Sequence, residues 1–112
     1  MDEELYILWT NNDLITSEKM VFMYAYNSIF KKWWKKVTII IWGATTKLVA
    51  SNRSIQIQIK EMMKNGAKFS ACKACADQLG VSNIIEELGI ELKYWGEPLT
   101  EIIKSNKKII TI

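Results

Sequence analysis

The run from Val37 to Trp42 constrains the fold more than any other stretch of this 112-residue chain. Its six residues are β-branched or aromatic without a break, and Gly43 follows directly as a turn signal. A short, continuous run of this kind is typical of a strand that is buried on both faces of a sheet. It is far shorter than the roughly 20 apolar residues that a membrane-spanning helix requires. We therefore predict a central strand here, in a soluble protein without a membrane span.

Four further short apolar runs predict strands, and segments with apolar residues at helical spacing lie between them. The strands are expected at residues 5–9, 67–71, 90–94 and 108–112. The residues expected to start helices are Thr16 or Ser17, Ser51 or Asn52, Ser82 and Pro98. Because strands alternate with helices, the pattern predicts an α/β fold with a five-stranded parallel sheet covered on both faces. The length fits one domain spanning residues 1–112.

The segment 51–64 is ambiguous, because Ile55, Ile57 and Ile59 alternate with glutamines as they would in a half-exposed strand. We predict a helix, since Ile55, Ile59, Met62 and Met63 then share one face and Asn65-Gly66 supplies a stop signal. A parallel sheet also needs a crossover of a dozen or more residues between its second and third strands. Ile57 is left on the outer side of this helix.

Composition excludes several classes of function. The net charge of +3, with both signs mixed along the chain, predicts no direct nucleic-acid binding, and we assign the lysines around Trp33-Trp34 to a helix end. The absence of histidine excludes Ser-His-Asp and Cys-His hydrolysis. One Cys-x-x-Cys pair supplies two of the four ligands of a usual structural zinc site, and no glycine-rich phosphate loop occurs. We therefore predict no metal and no cofactor. With two cysteines and no signal-peptide pattern, a reducing, cytoplasmic location is expected.

Both cysteines lie where the third predicted strand meets a short helix that Gly80 ends. A thiol at a helix N-terminus faces unpaired backbone N–H groups and the positive end of the helix dipole, which favour the thiolate. Cys72 is expected at that position, with Lys73 adding a nearby positive charge. Cys75 follows one turn later on nearly the same face. We therefore predict that Cys72 is the nucleophile and Cys75 the secondary thiol.

The chain contains several short motifs in a characteristic order. They are Ile41-Trp42-Gly43-Ala44, Asn65-Gly66-Ala67, Ala71-Cys72-Lys73-Ala74-Cys75-Ala76 with Leu79-Gly80-Val81, Gly89-Ile90 and Gly96-Glu97-Pro98-Leu99-Thr100. In this order and spacing the chain resembles, over nearly its whole length, the DsrE/DsrF-like family of small sulfur-relay proteins. The resemblance implies a three-layer α/β/α sandwich with a five-stranded parallel sheet, commonly assembled as trimers or hexamers. It also implies a persulfide on the cysteine that begins the helix after the third strand, which corresponds to Cys72 by its distance from Gly80. The second cysteine, Cys75, departs from the single-cysteine carriers.

Three functions follow from these observations. The first is an intracellular sulfur-relay protein, sulfurtransferase-like in its chemistry, which carries a persulfide on Cys72 between sulfur donor and acceptor proteins. The second is a Cys-x-x-Cys dithiol–disulfide oxidoreductase, because such a pair opening a helix is also the thioredoxin-like arrangement. The third is a non-catalytic oligomeric module with structural, buried cysteines. A homo-oligomer is expected because Phe22, Met23, Tyr24 and Tyr26 make the first helix apolar on more than one face. That it is a trimer or hexamer is implied by the family resemblance alone.

Overall fold

The structure, a computed structural model, describes residues 3–112, and five parallel strands form its sheet. The strands are β1 (Glu4–Trp9), β2 (Lys36–Ile41), β3 (Lys68–Cys72), β4 (Glu91–Lys93) and β5 (Lys108–Thr111). The helices are α1 (Leu14–Thr16), α2 (Met23–Phe30), α3 (Ala44–Ser51), α4 (Arg53–Lys64), α5 (Lys73–Gln78), α6 (Ser82–Glu87) and α7 (Gly96–Lys104), with a π-helical segment (Ser17–Phe22) joining α1 to α2. The predicted α/β fold with a five-stranded parallel sheet is confirmed.

The strand order is β4-β3-β2-β1-β5, so β2 lies in the centre as predicted. Every residue of β2 from Val37 to Ile41 is buried. A central strand of a parallel sheet is covered on both faces, which explains why this run carries no alternation of apolar and polar residues.

Two apolar layers pack on the two faces of the sheet. On one face, alternate residues of β1, β2 and β3 contact α2, α3, α4 and α6 through a large buried cluster. Its helical members include Val21, Ala25, Val49, Ile59 and Ile85. On the other face, a smaller cluster joins the sheet to α7. The chain is therefore a three-layer arrangement of helices, sheet and helix.

The first helical region begins earlier than the sequence analysis predicted. Asp13, rather than Thr16 or Ser17, is the N-cap, and its carboxylate accepts a hydrogen bond of 2.9 Å from the Thr16 backbone N–H. Ser17 is fully buried instead, where its hydroxyl accepts a hydrogen bond from the indole of Trp9. The expected cap residues were therefore wrong because the helical region already begins at Leu14; Ser17 lies inside it, and its hydroxyl donates back to the carbonyl oxygen of Asp13 at 2.7 Å.

The segment 51–64 is helical, as predicted. Asn52 caps α4 by accepting a hydrogen bond of 2.9 Å from the backbone N–H of Ile55. Ile55 and Ile59 are fully buried, whereas Ile57 is 56% exposed. The helix α3, by contrast, was missed, because Gly43 and the threonines after it were interpreted as a turn. Gly43 has a φ of +74° and starts α3 directly after β2.

Two smaller predictions at helix starts were also wrong. Ser82 is the first residue of α6 and not its cap, since its hydroxyl donates to the Asp77 carboxylate of α5. Pro98 lies two residues inside α7, which begins at Gly96. Within residues 3–112, every helix is too short or too polar to cross a membrane.

Candidate functional site

Cys72 is the last residue of β3 and the N-cap of α5, with extended backbone angles of φ −71° and ψ 114°. The strand therefore delivers the cysteine to the carboxyl edge of the sheet, where ligands and reactive groups of parallel α/β folds usually lie. The predicted strand-to-helix corner is present. The helix that follows has only six residues, however, so its dipole is small.

The Cys72 side chain is buried, with 3% of its surface exposed. It belongs to the smaller apolar cluster, whose other buried members are Ile40 of β2, Trp95 and Ile102 of α7. A donor in solution cannot contact this sulfur without movement of a neighbouring side chain.

Cys75 lies one turn further along and is only half-buried. Its Sγ is 3.5 Å from Oγ1 of Thr46 and 3.8 Å from the carbonyl oxygen of Gly43, to which the thiol donates. Both partners lie in the segment that opens α3. The thiol of Cys75 therefore faces the end of the neighbouring strand β2.

A surface recess of about 280 Å³ opens beside this thiol. It is lined by Asn12, Gly43, Ala44, Lys47, Cys75, Gln78 and Leu79. The recess is contributed by the loops that follow β1, β2 and β3, which meet at one edge because the strands are parallel. Of the two cysteines, Cys75 is the one that lines this recess.

A chain of hydrogen bonds runs from the buried indole of Trp95, which packs in the cluster with Cys72, to the exposed residue Glu91. The indole nitrogen of Trp95 donates to the hydroxyl of Ser70 at 2.8 Å, and that hydroxyl donates to Oε1 of Glu91 at 2.8 Å. Ser70 is fully buried, and Trp95 is 3% exposed. The ammonium group of Lys93 lies 4.6 Å from the centroid of the Trp95 ring.

The exposed side of α5 carries an ion pair next to the cysteines. Lys73 Nζ lies 2.8 Å from Oδ2 of Asp77, and the hydroxyl of Ser82 donates to the other carboxylate oxygen. These hydrogen bonds, first from Lys73 and then from Ser82, lower the pKa of Asp77 below its ordinary value of 3.8. The same contact with Asp77 raises the pKa of Lys73 above 10.5. The positive charge predicted beside Cys72 is therefore paired with a carboxylate.

Connections that follow β1, β2 and β4 also meet at this edge of the sheet. Asn12 after β1 and Gly43 after β2 line the recess at Cys75, whereas Trp95 after β4 packs in the buried cluster that contains Cys72. Thr46 and Ser70 were not singled out, because a buried threonine or serine carries no sequence signal that distinguishes it from a core residue.

In the part of the chain that the structure describes, no group of three or more histidine, cysteine or acidic side chains is placed to hold a metal ion. The two cysteines alone do not make a usual zinc site. What the site does offer is two reduced thiols one turn apart, one of them open to solvent.

The fold and this site define a small α/β domain with a five-stranded parallel sheet and a pair of thiols at the carboxyl edge of that sheet. The ychN protein of Escherichia coli has a TM-score of 0.76 and 15% identity, with all of both chains covered. MTH1491 of Methanobacterium thermoautotrophicum, a protein of unknown function, has a TM-score of 0.73 and 12% identity, over 99% of this chain and 100% of that chain. Both have DsrE-like folds. At this identity the likeness shows the fold alone.

A further solved structure is much more similar. BT1422 of Bacteroides thetaiotaomicron, a conserved protein of unknown function, is 44% identical over 98% of this chain and 95% of that chain, with a TM-score of 0.96. The chain therefore belongs to the same family as BT1422. No family model and no curated protein matches the chain.

Proposed function

We propose that this protein is a sulfur-relay protein of the DsrE/DsrF-like family that carries a persulfide on its Cys72–Cys75 pair. The observation that carries the proposal is the half-buried Cys75 thiol, which opens into a recess at the carboxyl edge of the sheet with a second thiol one turn away. A persulfide adds one sulfur atom to a cysteine, and a recess of about 280 Å³ leaves space for it.

The chemistry is a displacement at sulfur. The cysteine thiolate attacks the outer sulfur of a persulfide on the donor protein, and a new S–S bond forms on the carrier. The S–S bond of the donor breaks, and the donor leaves as a thiolate. Transfer to an acceptor thiolate repeats the same step in the opposite sense, so the overall relay needs no external oxidant or reductant.

Thr46 is proposed to assist the thiolate of Cys75. A thiolate has no proton to donate, so the hydroxyl at 3.5 Å must act as the donor once Cys75 is ionised. A hydrogen bond to the charged form favours that form. The Gly43 carbonyl, which accepts from the neutral thiol, is the opposing contact.

The order in which the two cysteines act is part of the proposal. The sequence-based prediction that Cys72 is the nucleophile is untested, since burial does not measure reactivity, and the order proposed from the geometry is the reverse of it. The burial of Cys72 and the recess at Cys75 nevertheless support Cys75 as the thiol that first meets a donor in this conformation. We propose this order, with Cys72 as the partner thiol that acts when the site opens.

Two other functions are each favoured by one observation. Neither cysteine is in a disulfide and the two are separated by one helical turn, as a dithiol–disulfide oxidoreductase requires. The burial of Cys72 favours a non-catalytic module in which that cysteine is structural.

We further propose that the protein acts as a cytoplasmic homo-oligomer, a trimer or hexamer, together with sulfur donor and acceptor proteins. The side chains of Met23, Tyr26 and Phe30 are exposed along one side of α2, and the rings of Tyr26 and Phe30 stack at 6.0 Å. Exposed apolar area of this kind often marks a contact between proteins. The assembly number comes from the family resemblance.

The intact mass of the protein, purified without reductant, tests the three functions together. A gain of about 32 Da is one bound sulfur and supports the relay. A loss of about 2 Da is a disulfide and supports the oxidoreductase. If treatment with inorganic polysulfide also leaves the mass unchanged, the sulfur-relay proposal fails and the structural module is favoured.

A further inference from the structure

Trp95 is placed to decide which of the two cysteines a reagent can reach. Its ring lies in the buried cluster that contains Cys72. Cys75 packs against the edge of this cluster but opens into a recess that Trp95 does not line. We propose that Trp95 is a positioning residue, held over the Cys72 site by Ser70 and Glu91, which keeps Cys72 closed while Cys75 stays open.

The register of the sheet brings these residues together. Ser70 and Cys72 are two residues apart on β3, so their side chains project from the same face. Ser70 pairs with Glu91 of β4, and Cys72 pairs with Lys93. Trp95 lies two residues beyond the end of β4, and its hydrogen bond to Ser70 places its indole on the same face.

The hydrogen bonds along this chain have only one direction. An indole N–H is a donor only and a carboxylate is an acceptor only, so the Ser70 hydroxyl must accept from Trp95 and donate to Glu91. The backbone oxygen of Glu91, at 3.4 Å from the same hydroxyl, is a weaker alternative to its carboxylate at 2.8 Å. The hydroxyl of Ser70 therefore connects the carboxylate of Glu91 at the surface to the buried indole of Trp95.

The ring is held from its outer side as well. The ammonium of Lys93 lies 4.6 Å from the ring centroid, a favourable distance for a cation over an aromatic face. Trp95 is also the residue directly before α7, the helix that packs on this face of the sheet. Release of the Ser70 hydrogen bond leaves a buried N–H unpaired, which favours rotation of the indole towards solvent.

This inference deepens the proposed function, because it assigns the residue that sets the order in which the two thiols act. The effect of Trp95 on the exposure of Cys72 does not depend on whether the protein transfers sulfur. A test by alkylation therefore separates the two: the protein can fail to bind sulfur and still show the control by Trp95.

The test measures the iodoacetamide alkylation rate of Cys72 in the full chain carrying Cys75→Ser, by mass spectrometry under native conditions. We expect slow alkylation in this background. Adding Ser70→Ala, which removes the acceptor, or Trp95→Phe, which keeps an apolar ring and loses the N–H, should raise the rate about tenfold or more.

Thr38→Val is the matched control. Thr38 is a buried hydroxyl residue of β2 on the same face as Ile40, and its hydroxyl donates to Glu4 rather than to the Trp95 chain. This variant should leave the alkylation rate unchanged even if it lowers stability, which circular dichroism and thermal unfolding monitor for every variant. The proposal is overturned if Cys72 already reacts at its unfolded-state rate, or if a folded Trp95→Phe variant reacts no faster than its background.

Discussion

The Sγ atom of Cys75 lies 3.5 Å from the hydroxyl oxygen of Thr46, although 29 residues separate them in the chain. Thr46 stands in the first turn of α3, directly after the central strand, and Cys75 stands in the first turn of α5, directly after the adjacent strand. Parallel pairing of β2 with β3 brings these two helix starts to the same edge. The parallel pairing of adjacent strands therefore brings Thr46 and Cys75 into contact.

Replacing Thr46 with valine should slow sulfur loading of Cys75 by inorganic polysulfide about three- to tenfold, the usual net worth of one hydrogen bond. Valine keeps the shape of threonine and removes only the hydroxyl. Thr45→Val is the control, because the Thr45 hydroxyl is also buried but donates to the Asn11 carbonyl. Equal loading rates in the Thr46→Val variant and the unmodified protein would show that the hydroxyl does not assist the sulfur.

The helix α4 gives a matched pair of stability tests. Ile55→Ala should lower the free energy of unfolding by about 2–5 kcal/mol, because it leaves a cavity at a fully buried position. Ile57→Ala, two residues away and 56% exposed, should change it by no more than about 0.5 kcal/mol. Chemical denaturation at one protein concentration measures both. Similar losses for the two variants would contradict the helical assignment of this segment.

This same segment shows how far the sequence determined the fold. Its alternating isoleucines favoured a strand, and the choice of a helix depended on the crossover that a parallel sheet requires. The need for this crossover therefore decided that the segment around Ile57 is a helix and not a strand. No such constraint acted on residues 44–51, where Gly43 and two threonines resembled a turn, and the helix α3 was missed.

The ion pair on α5 should make stability depend on acidity. The hydrogen bonds from Lys73 and Ser82 lower the pKa of Asp77, so its contribution is complete above the ordinary value of 3.8 and is lost as the pH falls through the lower, folded-state pKa. Asp77→Asn should therefore lower the Tm by the same amount at pH 7 and pH 5, and by progressively less below about pH 4.

Glu87→Gln, at an exposed carboxylate of α6, controls for the loss of one negative charge. Thermal unfolding followed by circular dichroism measures both variants across the pH range. A Tm difference for Asp77→Asn that stayed constant down to about pH 2 would contradict the depressed pKa of this carboxyl group.

The assembly state is a separate prediction. Light scattering at micromolar concentration should give a mass of three or six protomers of 13.0 kDa. Tyr26→Asp, which places a charge within the exposed apolar side of α2, should reduce that mass if this side is the contact. A protein that is monomeric across the micromolar range would contradict the proposed oligomer.

The candidate site was only partly predictable for a physical reason. The order of strands and helices in the sequence predicted that both cysteines lie where a strand meets a helix, and Cys72 is the N-cap of α5. Accessibility depends on which side chains pack across the sheet, and nothing local to the Cys-x-x-Cys motif indicates that Cys72 packs in a buried cluster with Trp95. The recess at Cys75 likewise depends on α3, which the sequence analysis missed.

The most direct test of the account is where sulfur is held. Each of Cys72→Ser and Cys75→Ser is treated with inorganic polysulfide, alkylated and analysed by peptide mass spectrometry, alongside the unmodified protein. We predict a gain of about 32 Da on the Cys75 peptide of the unmodified protein, retention of that loading in Cys72→Ser, and at least about tenfold slower loading in Cys75→Ser. Sulfur found first on Cys72, with normal loading in Cys75→Ser, would reverse the order of the two thiols, and no sulfur on either cysteine would contradict the relay function itself.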